Sequence, residues 1–283
     1  MSITSSATTA PSSDSSGVGP TQPGSAPSTI AGRTGPLRDT GTVLLRQLRP
    51  MLRNPFEILF AMIQPLVFLA LFGPLLSNTG GFGEGSTLQW FVPGIVAMSC
   101  LFGASMTGSG LLLEMQSGSH ERLLVAPLNR SALLLGRALN EILPVLVQTV
   151  VIIAIVTPFS FDLHLGGVVV GMAVLALFTI GVGSLSYTLA LATKGMDWIF
   201  WTVQQALLFT VLLLAGMLLP IEGAPRWLEI ASSLNPLTYV VEAARGLFAG
   251  EIWAQTTLEG FLAAALVAGL GLWAGTRAMR RAS

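Results

Sequence analysis

Six long apolar runs mark the chain, at roughly 57–77, 90–113, 139–160, 166–193, 199–219 and 257–276. Each approaches or exceeds the about 20 residues that a helix needs to cross a bilayer core. Apolar residues follow one another without alternation inside these runs, which predicts helices rather than barrel strands. The fourth run is long and holds Gly181 and Gly183, where a tilt or kink is expected. Residues 1–37 follow another pattern. They are Ser-, Thr-, Pro- and Gly-rich, and the first 30 carry one charge, Asp14. With no apolar segment to offset the entropy of ordering, this tail is expected to be disordered. It also lacks the basic start and apolar centre of a signal peptide.

Composition strengthens the membrane reading. Hydrophobic residues make up 52% of the 283 and charged ones 10%, with a mean hydropathy of +0.72. A soluble domain has about 25% charged residues, so this chain could not cover a globule with polar surface. An ordinary cytosolic enzyme and a nucleic-acid-binding protein are excluded. Lys+Arg and Asp+Glu both number 14, so no polyanionic partner is indicated, and the single Cys100 allows neither a disulfide nor a thiolate metal site.

The basic residues set the topology. Arg33, Arg38, Arg46, Arg49 and Arg53 precede the first run; Arg122, Arg130 and Arg137 lie between the second and third. Lys194 follows the fourth run, and Arg277, Arg280 and Arg281 follow the sixth. Only Arg226 and Arg245 fall on the other side, so both termini are expected in the cytoplasm. Small residues recur at close-packing intervals: Gly167 with Gly171, Gly271 with Gly275, and Gly260, Ala264 and Ala268. Packing within one subunit is favoured over a dimer motif.

Three further segments are not spans. In 40–53 (TGTVLLRQLRPMLR), Leu44, Leu45, Leu48 and Leu52 oppose Arg46, Arg49 and Arg53. That pattern suits a helix at the cytoplasmic interface, either as a lipid anchor or as a force-bearing element. Asn54-Pro55 then turns the chain inward. Within 114–138, Gly118 can cap a short helix that Pro127 ends, leaving Glu121, Arg122 and Leu123 exposed as a docking knob or as a simple elbow. On the outer side, 220–255 contains Trp227, Ile230, Ala231 and Leu234 at helical spacing, then Asn235-Pro236 opening a second helix with Tyr239. Glu242 and Arg245 are expected on its polar face, able to pair. The two helices form either a re-entrant hairpin or a lid lying flat on the leaflet.

Some chemistry is unsupported. The only lysine is Lys194, and no G-x-x-x-x-G-K-[ST] loop occurs, so any ATP must be hydrolysed by another chain. Ser109 stands between two glycines, but His120 and His164 are expected on opposite membrane faces and cannot both serve it. A packing role is favoured over that of a hydrolase nucleophile. Span interiors hold amides, namely Gln64, Gln148, Gln204 and Gln205, among Phe68, Phe72, Phe200, Trp201 and Phe209. Such a lining suits an amphipathic cargo, although each glutamine can equally bond across packed helices.

These parts, in this order, resemble the membrane subunit of ABC exporters of the type-2 permease class. The resemblance is carried by Arg53-Asn54-Pro55, by ERLLVAPL (121–128) with LLLGR (133–137), and by NPLTYVVEAAR (235–245), within residues 38–283. It is strongest to the daunorubicin-resistance-type permeases. The resemblance implies an all-α integral membrane domain over 38–283. It would have six transmembrane helices, both termini cytoplasmic, an amphipathic N-terminal interface helix and an outer re-entrant hairpin. It implies export of an amphipathic drug, natural product or lipid-like molecule from a bacterium, with a lipid-linked glycan as the alternative cargo. Two cytosolic ABC ATPase subunits, holding ATP and Mg, and a second permease chain would be the partners; this chain would hold no cofactor and no nucleic acid. Gly118, Glu121, Arg122 and Leu123, with Arg46, Arg49 and Arg53, would meet the ATPase. Gln64, Phe68, Gln204, Gln205 and Phe209 would face cargo. Trp227, Asn235, Pro236, Tyr239, Glu242 and Arg245 would form the outer gate. A Ser109 hydrolase and a non-transporting drug-binding scaffold remain the competing classes.

Overall fold

The computed structural model describes residues 55–77, 87–117, 142–159, 161–217 and 224–281. The tail 1–37, the interface segment 40–53 and the knob 118–128 lie outside the described residues. So do the candidates Arg46, Arg49, Arg53, Gly118, Glu121, Arg122 and Leu123.

Eight α-helices occur among the described residues, with no strand. They are α1 (Pro55–Ser77), α2 (Thr87–Gln116), α3 (Ile142–Val156), α4 (Leu165–Ala192), α5 (Asp197–Leu214), α6 (Arg226–Ser233), α7 (Pro236–Phe248) and α8 (Gln255–Arg281). Each of the six apolar runs forms a helix. Four of these, α2, α4, α5 and α8, are long and apolar enough to cross a membrane, whereas the apolar parts of α1 and α3 are shorter.

The centre is α2. Every residue from Phe91 to Cys100 is buried, as expected of a helix that is apolar on all sides. It packs chiefly on α4, and also on α1, α3 and α7; α8 covers the other side of α4.

Small residues make the tightest seams. A side chain on Gly181 would meet Val267 and the Ala268 backbone at 2.6 Å, and one on Gly271 would run into the Gly181 carbonyl. Gly167 abuts the Leu247 carbonyl, Gly171 leaves room for the Phe248 ring, which an added side chain would meet at 2.8 Å, and Gly260 abuts Ala243 and the Tyr239 carbonyl. These faces join α4, α7 and α8 of one chain. The fourth run is also one helix: α4 continues through Gly181 and Gly183, which give room for α8 and for Thr107 of α2.

α5 is attached differently. It buries only Phe200, Gln204, Leu208 and Leu212, one row at four-residue spacing, while Trp198, Leu207 and Leu213 are exposed.

Candidate functional site

Span hydroxyls are mostly spent on their own helices. Ser99, Ser105, Thr149, Thr179 and Ser184 each donate to the carbonyl four residues earlier, a bond that satisfies a hydroxyl in hydrocarbon at little cost. Ser109 donates to its own-helix carbonyl of Met106 at 3.2 Å, the arrangement of a packing residue. Several of the polar contacts that cross between helices involve α5.

In the middle of α5, Gln204 Nε2 donates to the Ser105 carbonyl at 3.1 Å, and its Oε1 lies 3.0 Å from the Ser186 hydroxyl. Ser186 also lies 2.7 Å from the Ser105 carbonyl and accepts from the Gly108 N–H at 3.2 Å. Gly108 permits this approach, because a side chain there would strike Ser186. Gln204 therefore belongs to a buried junction of α2, α4 and α5, not to a surface open to cargo. The other four path candidates lie apart from that junction. Gln64 and Gln205 are exposed, Phe209 is largely exposed, and Phe68 is half-buried, stacked on Phe72 with ring centres 5.6 Å apart.

The C-terminal end of α5 meets the hairpin of α6 and α7. A helix leaves its last four carbonyls without partners, and the start of α7 meets two of those of α5, Val211 and Leu214. Asn235 caps α7 by accepting from the Leu237 N–H at 3.1 Å, with Pro236 at the first helical position. Its amide donates to the Val211 carbonyl at 2.8 Å, and the Thr238 hydroxyl lies 3.3 Å from the Leu214 carbonyl. Ser232 and Tyr239 close the hairpin: the Thr238 hydroxyl donates to the Ser232 carbonyl at 3.0 Å and the Tyr239 hydroxyl to the Ser233 carbonyl at 2.8 Å.

The apolar face of α7 is enclosed by α2, α4 and α8: Leu237, Val240, Val241, Ala244, Leu247 and Phe248 are all buried. α6 is the reverse. Its apolar residues Trp227 and Ile230, and Leu234 after it, are exposed, and within it only Ser232 is buried. The recurring apolar positions of α6 thus face away from the protein.

Arg245 feels the charge of Glu242, as its spacing suggests, but it is also drawn inward. Glu242 is exposed, whereas the Arg245 guanidinium turns inward, donating from Nε to the Trp90 carbonyl at 3.2 Å and from Nη2 to the Gly216 carbonyl at 3.0 Å. It also lies over the Trp90 ring, 3.8 Å from its centre, in cation–π contact. Burial lowers its pKa to about 10 while the Glu242 charge acts in the opposite sense, so it stays charged at neutral pH. Nearby, Gln89 binds both the Phe248 carbonyl at 2.9 Å and the Asp162 N–H at 3.1 Å, tying the start of α2 to the end of α7 and the start of the α4 approach.

The N-terminal end of α5 carries a third polar contact, from Gln116 Nε2 to Asp197 Oδ2 at 2.6 Å. Sequence reasoning selected Asn235, Tyr239 and Arg245 but missed Thr238, Ser186, Gln89, Trp90, Gln116 and Asp197. Thr238 had a local signal, standing one turn after the cap; the others become partners only through contacts with distant segments.

Among the described residues the arrangement is all-helical, with several helices long and apolar enough to cross a bilayer, as in a multi-pass membrane protein. The profile of the ABC-2 type transporter family matches residues 38–249, and the chain belongs to that family. It is 31% identical over 230 residues to the transport permease ycf38 of Cyanophora paradoxa, covering 75% of this chain and 74% of that one. It is 24% identical over 213 residues to the daunorubicin resistance ABC transporter permease DrrB1 of Streptomyces coeruleorubidus, covering 75% of each. It is also 24% identical over 208 residues to the doxorubicin resistance permease DrrC of Mycobacterium tuberculosis, covering 72% of this chain and 75% of that one.

Proposed function

We propose that this chain is the membrane subunit of an ATP-driven exporter in a bacterial cell membrane, moving an amphipathic drug, natural product or lipid-like molecule outward. The observation that carries the reading is the family match over residues 38–249, which runs from the interface segment through the outer hairpin. The drug-resistance names of two relatives support the class of cargo.

In this reading α1 to α5 and α8 are the six spans, with both termini inside and 40–53 on the cytoplasmic surface. Two copies of an ABC ATPase bind ATP and Mg and grip segment 118–128, with Glu121 and Arg122 at the contact and Gly118 and Leu123 beside them. Arg46, Arg49 and Arg53 approach the same subunits. A second, identical permease completes the path, and Gln64, Phe68, Gln205 and Phe209 remain its cargo-facing candidates. The α6–α7 hairpin is the re-entrant outer gate, because α7 is packed among spans while α6 presents its apolar face outward.

The test is ATP turnover and cargo export by this chain purified with its cognate ATPase and placed in lipid. Glu121→Ala with Arg122→Ala should abolish export while the chain still inserts in the membrane. Normal export by that double variant would remove the docking assignment. Failure of any ABC ATPase to assemble with the chain would remove the exporter reading.

A further inference from the structure

α2 and α5 respond to different forces. α2 is surrounded by α1, α3, α4 and α7 and must move with them. α5 buries a single row of four side chains, with Val211 half-buried against the core, so the polar contacts at its two ends and middle help to set its orientation. The middle one binds α2 and α4 through Gln204 and Ser186, and the outer one binds α7 through Asn235 and Thr238. The inner one is Gln116 to Asp197.

The position of that inner contact is unusual. Gln116 is the last residue of α2, and segment 118–128 begins two residues later. Asp197 is the first residue of α5, where the free N–H groups of the helix favour a carboxylate. Gln116 Nε2 lies within hydrogen-bond reach of that carboxylate, 2.6 Å from Oδ2. The covalent link from α4 to α5 passes instead through the exposed stretch Lys194–Met196, with Gly195 at φ +84°. That turn joins the helices without fixing the angle between α2 and α5.

We infer that Gln116 and Asp197 form a latch that sets the tilt of α5 relative to the end of α2, making Gln116 a positioning residue for coupling. The inference rests on the exporter reading above. When the end of α2 shifts, Gln116 carries the start of α5 with it. The exposed face bearing Gln205 and Phe209 then turns relative to the bundle.

The test reports on the far end of α5. Leu213 is exposed there, so Leu213→Cys in a Cys100→Ser background gives one reactive thiol for a membrane-impermeant maleimide. In the reconstituted complex, labelling should change when ATP and vanadate trap the ATPases. Gln116→Glu sets two carboxylates against each other and should reduce that change about fivefold or more, with ATP turnover retained. Adding Asp197→Asn reverses donor and acceptor and should restore it. A merely structural role would not give this rescue.

Should Gln116→Glu insert poorly, Gln116→Leu removes the bond without repulsion and should show the same loss. An unchanged nucleotide response in Gln116→Glu or Gln116→Leu would overturn the latch while leaving the exporter reading in place. Absence of any response in the complex with Gln116 and Asp197 intact, together with failure of an ATPase to assemble, would overturn both.

Discussion

The side-chain amide of Asn235 donates to the Val211 carbonyl 2.8 Å away while its oxygen receives the Leu237 N–H. One residue thereby starts α7 and finishes α5. The bond crosses 24 residues of chain, and it makes the outer hairpin a fitting on the end of a span rather than an independent loop.

Asn235→Ala removes both bonds. It should destabilise the purified protein by about 1–2 kcal/mol, read as a lowered melting temperature in detergent. Asn235→Asp keeps the helix cap but turns an anionic oxygen toward the Val211 carbonyl, so it should not recover full stability. Equal melting of Asn235→Asp and the unaltered chain would show that the bond to α5 contributes nothing.

The two faces of α8 should respond oppositely to one added methyl group. Gly260→Ala drives a carbon into Ala243 and the Tyr239 carbonyl, and should sharply lower the yield of folded protein. Gly269 has no neighbour within 4 Å, so Gly269→Ala should be neutral or should stabilise by up to about 1 kcal/mol through helix propensity. Detergent-solubilised yield and melting temperature separate the two.

Adjacent glutamines on α5 should also divide. Gln204→Leu strips the junction at Ser105 and Ser186 and should cost about 1 kcal/mol, the range of hydrogen bonds between membrane helices. Gln205 is exposed, and Gln205→Leu should leave melting within about 0.5 kcal/mol while altering which dyes or drugs are exported. The paired readouts are thermal melting and a transport panel in vesicles.

Arg245→Lys retains the charge but loses the planar fork that reaches the Trp90 and Gly216 carbonyls and the flat contact with the Trp90 ring. The variant should lose about 1–2 kcal/mol of stability and reduce export more than Glu242→Gln, whose carboxylate is exposed. Export by Arg245→Lys equal to that of Glu242→Gln would count against a role for the buried guanidinium in the gate.

The six helices were legible because apolar length in a membrane is a one-dimensional signal. Asn235-Pro236 was legible for a similar reason, since cap chemistry is local. The place of Arg245 was not. Its spacing from Glu242 fits a surface pair, and only the return of residues 90 and 216 to the same point provides the carbonyls that draw it inward. Likewise Gln204 and Gln205 are indistinguishable as letters, and the single buried row of α5 separates them. The apolar spacing in α6 located a helix but not its partner, because in a membrane an apolar face is as satisfied by lipid as by protein.

The seam between Gly181 and Gly271 bears on how such a chain can diversify. Backbone meets backbone there, so no gradual enlargement of side chains is open to it. α5 has the opposite freedom, with half of its residues exposed. Substitutions that the seam would reject outright can therefore be absorbed on α5, so that tolerance to change is divided between helices of one bundle.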